Sequence, residues 1–196
     1  MAARASGSAA GRSVQSLDRM SAAIPPFTSV DNLVAAVRGR VFAPSHLVAV
    51  DGFMNAGKTT LAFKLAEMLG GIRLSFDTFA DRDVASDDYA AKIRLNYLAS
   101  DLRKLHATFP FVVADGICML QVLEAVSAAP DTLVYVKRIS STDIWHDGFH
   151  LEDYEGQQTV EENRPGLDRS QFEYHAKWRP HERAHFIYVR KDQETS

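Results

Sequence analysis

The stretch Val48-Ala49-Val50-Asp51-Gly52-Phe53-Met54-Asn55-Ala56-Gly57-Lys58-Thr59-Thr60 constrains this chain more than any other. It opens as an apolar run that reads as a buried strand, continues as G-x-x-x-x-G-K-T, and passes into a segment with helical apolar spacing. Two glycines, a lysine and a Ser/Thr at this spacing arise by chance in roughly one chain in a hundred of this length, so the flanking strand and helix supply much of the specificity. The residue types suit one job. Gly52 and Gly57 let the backbone turn tightly and aim its N–H groups at phosphate oxygens. The helix N-terminus adds partial positive charge at the same spot. Lys58 is expected to reach the β- and γ-phosphates of ATP, and the Thr59 hydroxyl to bind Mg²⁺. The expected nucleotide-binding residues are therefore Gly52, Phe53, Met54, Asn55, Ala56, Gly57, Lys58, Thr59 and Thr60.

A chain of 196 residues with 46% hydrophobic content suits one α/β domain with a sizeable core. The net charge of −3 argues against a broad basic face, and so against nucleic acid as the main partner. Cys118 is the only cysteine, which rules out an intramolecular disulfide and fits a cytoplasmic protein. No apolar run reaches membrane-spanning length, and no membrane partner is expected. Met1 to Met20 is rich in Ala, Ser, Gly and Arg and holds one acid, Asp18. Residues 1–22 are expected to be a disordered extension, with a transit-type leader or a true start at Met20 as alternatives, and residues 23–196 a single domain.

Five short apolar runs alternate with helical patterns. The expected strands are His46–Asp51, Arg73–Phe76, Phe109–Ala114, Thr132–Val136 and Phe186–Val189. The expected helices are Val30–Arg38 with Ser29 as N-cap, Gly57–Leu69 ended by Gly70-Gly71, Asp88–His106, Met119–Ala128, and one capped by Asp168 and broken at Pro180. In the third of these, Ile93, Tyr97, Leu98, Leu102 and Leu105 share the apolar face. Ser140 to Arg164 is polar and reads as a helix with a mobile loop. This alternation predicts a three-layer α/β phosphate-loop (P-loop) NTPase fold, a parallel five-stranded sheet with helices on both faces. Ligands of such sheets sit at the carboxyl ends of the strands, where Asp51, Asp77 and Asp115 fall.

Asp115 closes an apolar strand, the place where an acid orients Mg²⁺ in phosphate-loop enzymes; turn formation with Gly116 is the plainer alternative. Asp77 ends the second strand, where a carboxylate can take the proton of an attacking hydroxyl; Asp83 is a weaker candidate for that work. Phosphoryl transfer gathers negative charge, and cations usually close over it. Arg138, just after the fourth strand, is the first candidate, with Lys137 next to it and Arg164 beyond the polar segment as others; Arg82 and Arg94 could face an anionic or sugar substrate. His146 and His150 have a metal-like spacing, but Gly148 interrupts it and a third ligand is not apparent. Cys118 reads as a small buried hydrophobe.

Four segments resemble the uridine kinase-like group of phosphate-loop kinases, which includes phosphoribulokinase and pantothenate kinase. They are Val-Ala-Val-Asp-Gly…Gly-Lys-Thr-Thr-Leu-Ala, Leu-Ser-Phe-Asp-Thr-Phe around Asp77, Val-Val-Ala-Asp-Gly-Ile around Asp115, and the ending Tyr174-His175…Arg179-Pro180…Ala184-His185-Phe186-Ile187. Together they cover roughly Leu47 to Val189. The resemblance implies a kinase that moves the γ-phosphate of Mg-ATP to a small-molecule hydroxyl acceptor, most directly a nucleoside. It implies Asp77 as base, Lys58 and Arg138 as charge-stabilising catalytic residues, and Thr59 with Asp115 as holders of Mg²⁺. The chain departs from the group in two places. The arginine-rich lid after the fourth strand is reduced to Lys137-Arg138, and the His-Pro segment after Asp77 is missing. Two rivals follow: a kinase of another metabolite (a sugar, a shikimate- or gluconate-like acid, an antibiotic), and a nucleotide-binding regulator with little turnover. A homodimer is left open.

Overall fold

A computed structural model describes residues 26–41, 43–148 and 166–192. Five strands form one wholly parallel sheet: β1 (His46–Asp51), β2 (Ile72–Ser75), β3 (Phe111–Asp115), β4 (Thr132–Ile139) and β5 (Phe186–Lys191), in the order β2-β3-β1-β4-β5. β1 lies in the middle and all six of its residues are buried, as expected of a strand covered on both faces. Alternate strand residues feed two cores. Leu47, Ala49, Leu74, Val112, Ala114 and Leu133 face α3 (Tyr89–Lys92), α4 (Leu95–Thr108) and α5 (Met119–Ala125). Val48, Val50, Val113, Val134 and Val136 face α1 (Val30–Arg38) and α2 (Lys58–Leu69). Two further helices, α6 (Gly166–Trp178) and α7 (Pro180–Arg183), lead into β5.

The expected α/β architecture is present, with several elements bounded differently. The single helix expected over Asp88–His106 is two. Ile93 leaves helical geometry (φ −81, ψ 129) and forms an antiparallel bridge with Ala80, while the Arg94 N–H donates to the Phe79 carbonyl at 2.9 Å. Backbone groups that a continuous helix would use internally are taken by the Phe79–Asp81 segment, whose Asp81 N–H donates to Lys92 O at 2.7 Å. Tyr97, placed by periodicity on the apolar face, is 67% exposed, since the buried face of α4 is that of Leu98 and Leu102. β4 runs three residues past Val136, because Lys137, Arg138 and Ile139 pair with Val189, Arg190 and Lys191 of a correspondingly longer β5. Asp77 lies just beyond β2 in a 3-10 turn, Phe76–Phe79. Ser29 occupies the N-cap position of α1 but its side chain makes no capping bond. α5 stops at Ala125, three residues short of expectation. Pro180 does begin a new helix, after Arg179 turns through left-handed geometry at φ 47.

Phe76 is the anchor of the Asp77 turn. Its side chain is fully buried and its Cβ packs on Gly116. Phe76→Ala is expected to lose about 3–5 kcal/mol of stability in urea denaturation. A loss below about 1 kcal/mol would show that this turn is not fixed by the core.

Candidate functional site

The phosphate loop leaves β1 at Asp51 and enters α2 at Lys58. Gly52 has φ +144, and a Cβ there would stand 2.7 Å from the Val136 carbonyl, so both backbone and space demand glycine. Gly57 has φ +100 and lies beneath the side chain of Arg190. No side chain caps α2, so its first-turn N–H groups point into the loop with the positive end of the helix dipole. Lys58 is buried and its Nζ donates to the Phe53 carbonyl at 2.6 Å. Burial lowers its pKa, and Asp51, Asp77 and Asp115 pull the other way.

The loop rests on α6. Asp51 is fully buried; its Oδ1 accepts from Gly52 N–H at 2.7 Å and its Oδ2 from the Tyr174 hydroxyl, which itself accepts from Leu120 N–H at 3.0 Å. Gln171 Oε1 accepts from Met54 N–H at 2.8 Å. The Phe53 ring stacks on His175, with centroids 3.8 Å apart and planes 10° from parallel, and touches Phe172 at 5.0 Å. Burial pushes the Asp51 carboxyl up to about 6, against its hydrogen bonds and Lys58. Burial drives His175 down to about 3, so the ring is neutral, with Nδ1 paired to the Gln171 carbonyl at 2.7 Å. Tyr174 and His175 lie in one of the resembling segments, which implied no role for them; their partners in the loop, Asp51 and Phe53, lie more than a hundred positions away.

Thr59 and Asp115 come together: the Thr59 hydroxyl donates to Asp115 Oδ2 at 3.1 Å. A hydroxyl and a carboxylate are donor types Mg²⁺ takes, but the pair as it stands offers that ion no open carboxylate oxygen. Asp115 is also held by Arg73, a residue the sequence did not single out. Arg73 Nη2 donates to Oδ2 at 2.8 Å and Nε lies 2.6 Å from Oδ1. Asp77 is exposed, and its Oδ1 accepts from the buried Tyr89 hydroxyl at 2.5 Å.

The expected cations divide. Arg138 Nε donates to both oxygens of Asp192, at 3.0 and 3.1 Å, which raises its pKa; His146 Nε2 meets the same carboxylate at 2.9 Å. Lys137 Nζ lies over the Trp145 ring at 4.3 Å. Arg94 ties to the Phe79 and Thr78 carbonyls, a structural use. Arg82 and Asp83 are exposed. Arg164 and His150 lie outside the described residues, and among those described no group of three His, Cys, Asp or Glu could hold a metal. Cys118 is buried at a left-handed turn, and burial pushes its thiol pKa up, away from nucleophilic use. The cation at the loop is Arg190, missed in the sequence: Nη1 donates to Asn55 O at 3.2 Å. It borders a groove of about 180 Å³ with Gly57, Thr60, Lys64 and Tyr188. Among the described residues no helix is long and apolar enough to cross a membrane.

Asp51 and His175 give opposite pH signatures. Asp51 binds its proton more tightly folded than unfolded, so its contribution is full at low pH and is lost as pH rises through about 6. His175 contributes above its ordinary value of 6.5, and that contribution is lost as pH falls toward about 3. At about 1.4 kcal/mol per unit, each slope amounts to a few kcal/mol, and they oppose each other between about pH 4 and 6. Asp51→Asn should therefore gain stability with rising pH more steeply than wild type across that window, read by urea denaturation. Parallel profiles would refute this origin for the pH dependence.

No family model and no curated protein matches this chain. Solved structures do. A structure of a possible uridine kinase from Bacillus stearothermophilus superposes with a TM-score of 0.54 at 14% identity, covering 81% of this chain and 96% of that one. Thymidylate kinase from Candida albicans overlaps with a TM-score of 0.41 at 13% identity, over 80% of this chain and 87% of that one. At 14% identity the likeness to the first of these concerns the fold alone: this chain shares its α/β fold, built here on the five-stranded parallel sheet described above.

Proposed function

We propose that this chain is an ATP-dependent phosphotransferase that moves the γ-phosphate of Mg-ATP to a hydroxyl of a small molecule, most directly a nucleoside. The observation that carries the reading is the convergence, at the carboxyl ends of three adjacent strands, of an open phosphate loop, the Thr59–Asp115 pair and the carboxylate of Asp77. A loop and a metal-type pair alone would serve any triphosphate-binding protein. A carboxylate whose charge reaches Lys58 suits a hydroxyl acceptor. The uridine kinase-like segments and the fold shared with a possible uridine kinase favour a nucleoside.

In this reading the N–H groups from Asn55 to Thr60 hold the phosphates, and the groove beside Gly57 takes the rest of the nucleotide. Lys58 exchanges the Phe53 carbonyl for phosphate oxygens, and the arriving anion offsets the burial that lowers its pKa. Mg²⁺ would enter with ATP and neutralise charge on its phosphates, while Asp115 stays held by Arg73 and Thr59. Tyr89 keeps Asp77 oriented through one oxygen and leaves the other for the acceptor hydroxyl, whose proton Asp77 takes as the oxygen attacks phosphorus. Arg190, against Asn55, shares the developing charge with Lys58; Arg138 joins them only on leaving Asp192. That pairing of Arg138 is the one observation favouring a nucleotide-binding regulator with little turnover.

Purified protein with Mg-ATP and a panel of nucleosides, sugars and sugar acids should release ADP with one acceptor class. Lys58→Ala should abolish turnover. Asp77→Asn should lower kcat by about 10²–10⁴-fold with ATP affinity nearly unchanged. Equal losses in kcat and ATP affinity would make Asp77 structural, and tight ATP binding without ADP release on any acceptor would decide for the regulator.

A further inference from the structure

The carboxylate of Asp115 is the acid on which a divalent cation would depend, and a fixed cation already covers it. Asp115 is 1% exposed. Its Oδ2 accepts from two donors, Arg73 Nη2 at 2.8 Å and the Thr59 hydroxyl at 3.1 Å, which uses the lone-pair directions of that oxygen. Its Oδ1 is buried under Arg73 Nε at 2.6 Å. A metal ion, or a water of its shell, reaches either oxygen only by displacing Arg73 or Thr59.

Arg73 is not a loose surface charge. β2 and β3 pair with Ser75 opposite Asp115 and Arg73 opposite Val113, so Arg73 lies diagonally across from the acid on the α2 face of the sheet. Its guanidinium rests over the Phe63 ring of α2, 4.2 Å from the centroid, and its side chain is 19% exposed. Carboxylate, ring and strand register hold it from three sides. A guanidinium stays charged at any pH the protein meets, so this positive charge is permanent. Removing it would leave a buried carboxylate with only the Thr59 hydroxyl and no opposite charge, which is strongly unfavourable. A divalent ion bound at Thr59 would face the guanidinium at close range, like charge against like.

We infer that Arg73 is the resident cation of the phosphate-loop site, standing in for part of the charge of a divalent ion, so that this chain binds its nucleotide with little dependence on Mg²⁺. The inference rests on the nucleotide-binding part of the proposed function and deepens it. Arg73 acts here as a positioning residue: it fixes Asp115 and, through it, the Thr59 hydroxyl, and its own charge lies beside the loop.

The test uses the full chain and two probes. In the first, ADP and ATP affinities are measured by calorimetry with millimolar Mg²⁺ and with chelator. Wild type should change by less than about threefold, whereas Arg73→Met, similar in length and uncharged, should bind at least about tenfold more tightly with Mg²⁺ than without. Arg73→Lys, which keeps the charge but loses the two-point contact, should fall between them. In the second, Mn²⁺ alone is titrated by electron paramagnetic resonance without nucleotide. Wild type should bind none at the loop in the millimolar range, and Arg73→Met should acquire a site that Asp115→Asn removes. A wild type whose nucleotide affinity rises more than about tenfold with Mg²⁺ overturns the inference, even if Arg73→Met does not fold. Equal Mn²⁺ binding by wild type and Arg73→Met also overturns it. If wild type binds no nucleotide, the proposed function falls, and the Mn²⁺ titration still decides the role of Arg73.

Discussion

The carboxylate of Asp51 sits wholly buried at the end of the central strand and accepts hydrogen bonds from the Gly52 N–H and the Tyr174 hydroxyl. Most of the site depends on that arrangement. The Gly52 bond fixes the direction in which the chain leaves β1, where backbone conformation is already confined to glycine. The Tyr174 bond carries α6 onto the loop, and with it Gln171 on the Met54 N–H and His175 on the Phe53 ring. The same tyrosine accepts from Leu120 N–H and so steadies the start of α5. A loop that begins and ends on glycine would have many conformations in isolation. Here its first half is braced from below by polar bonds and an aromatic stack, while its second half stays open toward an anion.

The charges around Lys58 follow from the same burial. One ammonium feels three carboxylates, those of Asp51, Asp77 and Asp115. Each carboxylate has a different neutraliser: hydroxyl and amide donors for Asp51, Arg73 for Asp115, and the Tyr89 hydroxyl with solvent for Asp77. Lys58 therefore is not committed to one ion pair. It rests on a neutral carbonyl of its own loop, a bond that a phosphate oxygen can replace at small cost. The least covered of the three acids is Asp77, and a group that takes a proton from an incoming hydroxyl has to be reachable in that way.

What the sequence made legible was mostly local. The glycine-lysine-threonine loop, the buried strand before it and the helix after it could be read because each depends on residues within a few positions of one another. The end of β3 was readable for the same reason, whereas β2 ends at Ser75, one residue earlier than expected, and Asp77 falls in the 3-10 turn that follows. The break at Ile93 was not readable, since the apolar spacing runs on through it and the cause is a bridge to Ala80 thirteen residues earlier. The extra length of β4 was hidden because it comes from pairing with β5, so Lys137 and Arg138 read as following the strand when they belong to it. Arg73 and Arg190 escaped notice for a related reason. Neither lies in a motif, and each meets its partner only through strand register or a contact across most of the chain.

Two arginine–carboxylate pairs flank the loop, and their settings give them opposite uses. Arg138 with Asp192 is partly exposed, shared with His146 and 3.6 Å from Arg190, on the last residues of β4 and the end of β5. Water competes for such a pair and salt screens it, so an arriving phosphate can take the arginine without leaving a buried charge behind. Arg73 with Asp115 is enclosed, and separating it would strand a carboxylate that water barely reaches. The first pair can therefore rearrange on ligand binding and the second cannot do so readily. In the proposed function, the movable cations Arg138 of β4 and Arg190 of β5 stand on one side of the loop strand and the fixed Arg73 of β2 on the other, so positive charge flanks an arriving phosphate group from both sides.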